Sequence, residues 1–301
     1  MNNNNYGFLF NNITIVNNNF IKESKNEYGQ NKINNEIEFY LFVKLNLINF
    51  STPKLVEHSN GRIVLKYIND ADTLTNKVKK ENVNYYVNQI LNLIKPIHNF
   101  KIFMSNNNIL TDLIIEVETK ILNRYNEYDW KANTNYNKIK YVNNIKINSI
   151  NYYTNLIKEK LLMHLNKREE YSLIHGDIHL GNILIDSSKN IYFIDPRGYF
   201  GKTKLYGLKE YDYAKLMFGI SGYSTFDNIS ITDLNIINLN LSIDFIKEYE
   251  YIFENNIFDD ITKLLCLSIW LGNNSCFINE NKKIVSLMIA FYYCEKYLLK
   301  L

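Results

Sequence analysis

Three oxygen-bearing side chains in one short stretch have the types and spacing for phosphoryl chemistry. The segment His175-Gly-Asp177-Ile-His179-Leu-Gly-Asn182 runs directly into a short apolar segment, Ile183 to Ile185. A Ser187-Ser188-Lys189-Asn190 turn follows, then a second apolar segment, Ile191 to Ile194, and then Asp195-Pro-Arg197-Gly198. Branched apolar residues bounded by turn formers predict a β-hairpin, and pairing its strands would bring Asp177, Asn182 and Asp195 to one end. A carboxylate that orients a hydroxyl, together with oxygen ligands that hold a divalent cation on phosphates, is what phosphoryl transfer asks of a protein. The other chemistry open to these residues is hydrolysis: His175, Asp177 and His179 alternate along an extended chain and would share a face as an H-x-D-x-H metal cluster. That alternative leaves Asn182 and the Asp195 loop without a role.

At these residues the chain resembles the aminoglycoside phosphotransferase and choline kinase superfamily, protein-kinase-like enzymes that share an H-G-D-x-H-x-x-N loop. The resemblance implies an α+β, bilobal protein-kinase-like fold with a small antiparallel β N-lobe, residues 1–68, and a larger, mainly helical C-lobe, residues 69–301. It implies Mg²⁺ and ATP between the lobes, with Asp177 accepting the acceptor's proton and Asn182 and Asp195 holding the metal. Phe20-Ile21-Lys22 resembles the N-lobe strand whose lysine touches the α and β phosphates. Glu36, on a following helix, is then its partner, with Glu38 as the competitor. The strand Gly61 to Ile68 resembles the one leading into the hinge, where backbone groups near Lys66 and Ile68 would meet adenine. His179 is left between loop support and phosphate contact. Asp212, in Tyr211-Asp-Tyr-Ala-Lys-Leu216, resembles the aspartate that buttresses the catalytic loop.

The sequence departs from the pattern in two places. Asp195-Pro-Arg-Gly replaces the usual residues after the metal-binding aspartate, which leaves Arg197 as a candidate for stabilising the charge in transfer. Where a glycine-rich turn should cover the phosphates the chain has Asn11-Asn12, so a kinase-like nucleotide-binding module with weak catalysis is the alternative within the same fold.

Around these loops, apolar runs at Tyr6 to Phe10, Ile13 to Val16 and Phe20 to Ile21, separated by asparagines, predict a small meander. Helical spacing predicts helices over Asn34–Leu47, Asn82–His98 (with Pro96 kinking or ending it), Ile109–Tyr125, Ile150–Leu165, Ile236–Phe253, Phe258–Leu271 and Lys282–Leu299. A connector rich in Asn, Tyr and Lys carries Trp130, which is open to an acceptor-site or a core role.

The 301 residues suffice for a sizeable core, and 46% hydrophobic with 22% charged residues is ordinary globular composition. A net charge of +3 is too small and dispersed to argue for nucleic acid. No apolar run approaches the roughly 18 residues of a membrane span, and no charged start precedes an apolar leader-like segment. Three cysteines without zinc spacing are expected in a reducing, cytoplasmic setting. Between Tyr211 and Asp260 nine acidic residues face two basic ones, an imbalance that would suit a cationic acceptor. Expected partners are therefore a nucleotide and a small hydroxylated acceptor: a sugar, amino sugar, aminoglycoside or amino alcohol such as choline.

Overall fold

In the computed structural model the described residues are 10–301, and their contacts divide the chain into two compact units. One takes in the N-terminal residues to Phe103 together with Glu170–Asp212; the other comprises Met104–Glu169 and Tyr213–Leu301. The first unit therefore carries both the N-terminal sheet and the segment around the catalytic hairpin.

The N-terminal sheet is wholly antiparallel, in the order β1 (Asn11–Val16), β2 (Asn19–Ser24), β4 (Arg62–Lys66), β3 (Leu55–Ser59). Asn17 and Asn18, both at positive φ, make the two-residue turn between β1 and β2, a conformation asparagine tolerates better than most residues. The expected turn at Asn11-Asn12 is not there: both residues lie in β1, paired with Ser24 and Glu23. The expected strand from Tyr6 lies outside the described residues except for Phe10.

Helix α1 (Glu27–Leu45) starts earlier than its apolar spacing suggests, because Asn26 caps it by accepting a hydrogen bond from the Gly29 N–H. Ile33, Ile37 and Tyr40 on α1 pack against Leu55, Ile63 and Leu65 of the sheet. Alternation along β2 puts Phe20 and Lys22 on one face, and Phe20 packs against the same cluster. Lys22, which pairs with Ile63 in the sheet register, is thereby aimed at α1.

The predicted hairpin forms from Ile183–Ile185 and Ile191–Phe193, with Lys189 at positive φ in its turn and β5 (Asp72–Thr73) added to its edge. Helix α2 (Val83–His98) runs two residues past Pro96. It leads to β6 (Lys101–Phe103), which pairs with the strand Glu170–Leu173 that enters the catalytic loop.

The second unit is mainly helical. The predicted helix Ile150–Leu165 has those bounds, and Asp260–Leu271 and Glu280–Tyr297 lie within two residues of expectation at each end. The run from Asn106 to Asn126 is helical, with a wider π turn at Ile115–Thr119. Residues 236–253 do not form the single expected helix. They make a hairpin, Ile236–Ile237 with Asn240–Leu241, then a 3₁₀ segment and one short α-helical turn. The strand Asn240–Leu241 pairs in parallel with Tyr141–Val142, a long-range ladder that overrides the local helical spacing. Asn238 and Leu239 supply the positive-φ turn. Among the described residues no helix is long and apolar enough to cross a membrane, and the three cysteines form no disulfide.

Trp130 belongs to the core of this unit. It is 3% exposed, donates its indole N–H to the Tyr125 carbonyl, and sits among the rings of Tyr125, Tyr128 and Tyr136. Trp130→Ala should therefore cost about 3–5 kcal/mol, read from denaturant unfolding. A change below about 1 kcal/mol would contradict a core role. Three of the acidic residues of 211–260 have structural partners. Asp259 caps a helix through the Thr262 N–H, Asp244 pairs with Lys247, and Glu250 is held by Lys296 and Tyr292.

Candidate active site

The catalytic loop is built on a buried frame. Asp212, fully buried, accepts the backbone N–H of His175 at 3.0 Å and of Gly176 at 2.6 Å, and its Oδ2 lies 2.9 Å from His98 Nε2. The loop is thus hung from one carboxylate delivered by the helix Lys209–Phe218. The His175 ring, 0% exposed, lies edge-on to Phe39, Phe50 and Phe193. Burial lowers its pKa against the pull of Asp212, Asp177 and Asp195, so the ring is held neutral. Its Nδ1 accepts the Asp177 N–H at 3.3 Å. Gly176 takes a φ of +82°, which favours glycine, and a Cβ there would sit in a tight contact, 3.1 Å from that of Arg197.

Asn182 closes the loop on itself. Its Nδ2 donates to the Asp177 backbone carbonyl at 3.0 Å and to the Asp177 Oδ2 at 3.2 Å. Its backbone carbonyl accepts the N–H of Ile194 as the hairpin begins, which places Asp195 just beyond the end of the ladder. Asp195 itself takes a φ of +55°, an uncommon torsion for a side chain other than glycine. His179 turns inward to the loop. Its Nδ1 accepts the Gly181 N–H at 3.2 Å, capping a single 3₁₀ turn, while Nε2 is 3.9 Å from Asp177 Oδ2. Of its two expected roles the geometry displays loop support.

Lys22 joins the halves of the site. Its Nζ lies 2.9 Å from Glu36 Oε2 and 2.9 Å from Asp195 Oδ1, a residue 173 positions away. Glu38, the competing partner, instead pairs with Lys204. Burial pushes the Asp195 carboxyl up, but the charge and hydrogen bond of Lys22 outweigh it and hold the group below the usual carboxylate range. Asp177 is near enough to act on it as a second negative charge. Burial opposes the charge on Lys22 as well, yet its two carboxylate partners leave the ammonium harder to deprotonate than normal.

Burial dominates at Glu36 and pushes its carboxyl up to about 7, against the pull of Lys22. The sign follows: a folded pKa above the exposed value of 4.5 means that this group's stabilisation is complete below about 4.5 and is lost as pH rises through about 7. The Lys22 contribution is present throughout neutral pH and is lost only in strong alkali. Lys22→Met should therefore raise the Glu36 pKa above about 7, measurable by titrating its carboxyl carbon by NMR; a fall would contradict the pairing.

The Arg197 guanidinium carbon lies over the Tyr199 ring, 3.9 Å from its centroid, and the side chain donates to the Tyr211 hydroxyl at 2.6 Å. Its backbone N–H and that of Gly198 both donate to the His175 carbonyl, tying the Asp195 loop to the catalytic loop. At the expected adenine edge, the Lys66 N–H is already used by Lys54, while the backbone of Ile68 makes no hydrogen bond among the described residues. The aromatic frame of Phe39, Phe50 and Phe193, and the Tyr199 and Tyr211 clamp, are absent from the sequence expectations. The one available signal was Phe39, three residues beyond Glu36 on the same helix.

The hydrolase alternative finds no support. His175 is buried with Nδ1 engaged, His179 caps its own turn, and no group of three or more His, Cys, Asp and Glu among the described residues could hold a metal ion. Magnesium asks for a different donor set, and that set is present. Asn182 spends its Nδ2 on Asp177, which leaves Oδ1 as a hard oxygen donor, and Lys22 holds the Asp195 carboxyl below the usual carboxylate range.

No protein-family profile matches the chain, and no curated protein matches it in sequence. Solved structures do. Choline kinase LicA from Streptococcus pneumoniae aligns with a TM-score of 0.54 at 13% identity, over 95% of this chain and 90% of that one. The ADP-bound aminoglycoside phosphotransferase APH(2″)-Ib aligns at 0.52 and 13%, over 95% and 90%. The streptomycin–ATP ternary complex of APH(2″)-IIa gives 0.51 and 13%, over 97% and 88%. With its N-terminal antiparallel sheet and mainly helical C-terminal part, the chain shares the fold of these aminoglycoside phosphotransferase and choline kinase structures.

Proposed function

We propose that the protein is a small-molecule kinase that moves the γ-phosphate of ATP to a hydroxyl of a sugar, amino sugar, aminoglycoside or amino alcohol. The observation that carries this reading is Lys22 bridging Glu36 and Asp195, with Asp177 and Asn182 bonded at the same end of the hairpin. Side chains from a strand, a helix and two loops converge there, and the set matches the needs of phosphoryl transfer. Nucleotide complexes among the structures of like fold support ATP as the co-substrate.

In this reading Lys22, braced by Glu36, binds the phosphates, and backbone groups near Lys66 and Ile68 meet the base. Asp177 orients the acceptor hydroxyl and takes its proton, held in place by the Asn182 amide at Oδ2. Asn182 Oδ1 and Asp195 would hold Mg²⁺, which when bound neutralises phosphate charge. Arg197, fixed on Tyr199 and Tyr211, stabilises charge developing on the transferring group. His179 supports the loop that carries Asp177. The lobe division at residue 68, a Mg²⁺ requirement and a cytoplasmic location belong to the same proposal.

The test is magnesium-dependent ADP formation from ATP across a panel of amino alcohols, hexoses, amino sugars and aminoglycosides. Acceptor-dependent turnover with one class supports the enzyme and names its substrate. Tight ATP binding with no turnover on any acceptor would instead make the protein a nucleotide-binding module.

A further inference from the structure

Tyr40 lies one helical turn beyond Glu36 on α1, and phosphoryl transfer as described makes no use of it. Its ring packs with Ile33, Ile37, Leu55, Ile63 and Leu65. That packing accounts for an aromatic ring but not for a phenol, since phenylalanine would fill the same space. Tyr40 is 3% exposed, and its buried hydroxyl has no hydrogen-bond partner. Glu36, 2% exposed, gives Oε2 to Lys22, while its Oε1 is buried and has no partner either.

The two unpartnered polar atoms belong to residues four apart on one helix, and residues i and i+4 share a helix face. After burial, the charges that act most on the Tyr40 phenol are those of Glu36 and then Asp195. One atom is a carboxyl oxygen, which accepts when ionised and can donate when protonated; the other is a hydroxyl that can donate or accept. No direct hydrogen bond joins them. What satisfies both is a small molecule with donors and acceptors on one atom, and buried waters occupy such positions between otherwise unsatisfied groups.

We propose that one buried water bridges Tyr40 Oη and Glu36 Oε1, making Tyr40 a positioning residue that holds the second oxygen of Glu36 while Lys22 holds the first. The functional half of this inference rests on the reading of Lys22 as a phosphate-binding group; the water itself does not.

Two measurements decide it. A crystal structure of the wild-type protein at about 2 Å or better should show one water within about 3.2 Å of both atoms. The same density in Tyr40→Phe should lack it. A dry site, or a phenol bonded directly to Glu36, overturns the bridge. Tyr40→Phe keeps the ring, so its melting temperature should stay close to wild type. Its calorimetric affinity for ADP with magnesium should fall about 3- to 10-fold, the size of one hydrogen bond, and KM for ATP should rise by a like factor with a smaller change in kcat. Unchanged ADP affinity overturns the positioning role. If the wild-type protein binds no ADP, the kinase reading fails, and the crystallographic density still decides the bridge.

Discussion

Asp177→Ala is expected to lower acceptor-dependent ADP formation by roughly 10²- to 10⁴-fold, the usual contribution of a positioned general base, while ATP affinity stays within a few-fold of wild type. The separation of the two effects follows from the contacts. Lys22 holds Asp195 and Glu36 without help from Asp177. Asn182 also keeps its hydrogen bond to the backbone carbonyl at position 177, which an alanine preserves. The loop should therefore stay in place and lose only the Asp177 carboxylate, the group proposed to face the acceptor hydroxyl. Steady-state kinetics for turnover and calorimetry for nucleotide binding read the two quantities separately. Retention of more than about half the wild-type turnover would remove Asp177 from the chemistry.

The largest effect on stability is expected at Asp212, a residue with no direct part in the reaction. Replacing it with alanine leaves the His175 and Gly176 N–H groups and the His98 ring nitrogen without this acceptor in a fully buried position. Breaking a buried polar network by deleting one partner typically costs about 3–5 kcal/mol, a large part of the total stability of most domains. The expected result is a lower denaturant midpoint with turnover falling alongside it, because the same bonds set the path of the loop carrying Asp177. Asp212→Asn keeps one acceptor oxygen and should fall between the two. A loss under about 1 kcal/mol for the alanine variant would show that the loop holds its shape without this anchor.

Much of the site was legible because its residues are close in sequence. The hairpin and its flanking loops span fewer than thirty residues, so turn chemistry and strand alternation alone put Asp177, Asn182 and Asp195 at one end. Lys22 and Glu36 were legible only through the order of a strand and a helix; the structure pairs Lys22 with Glu36, the residue the sequence favoured, over its competitor Glu38. Two residues apart on a helix, they face different ways, one to Lys22 and the other to Lys204. Residues 236–253 read as a helix because their apolar spacing fits one, yet a parallel partner at Tyr141–Val142 stabilises a strand that no local window contains. Asn11-Asn12 read as a turn on composition, but pairing with Glu23 and Ser24 keeps both in a strand.

The amino-acid chain by itself specified the hairpin and loops that carry the residues proposed for phosphoryl transfer, the antiparallel character of the N-terminal sheet and most of the helices, because those depend on short-range periodicity and on turn residues with particular torsions. Only the tertiary structure decided that Lys22 also meets Asp195, that His175 is buried inside an aromatic frame, and that Asp212 is joined by His98. Those outcomes depend on burial and, for the two ion pairs, on groups brought together across more than a hundred residues, and spacing along the chain encodes neither.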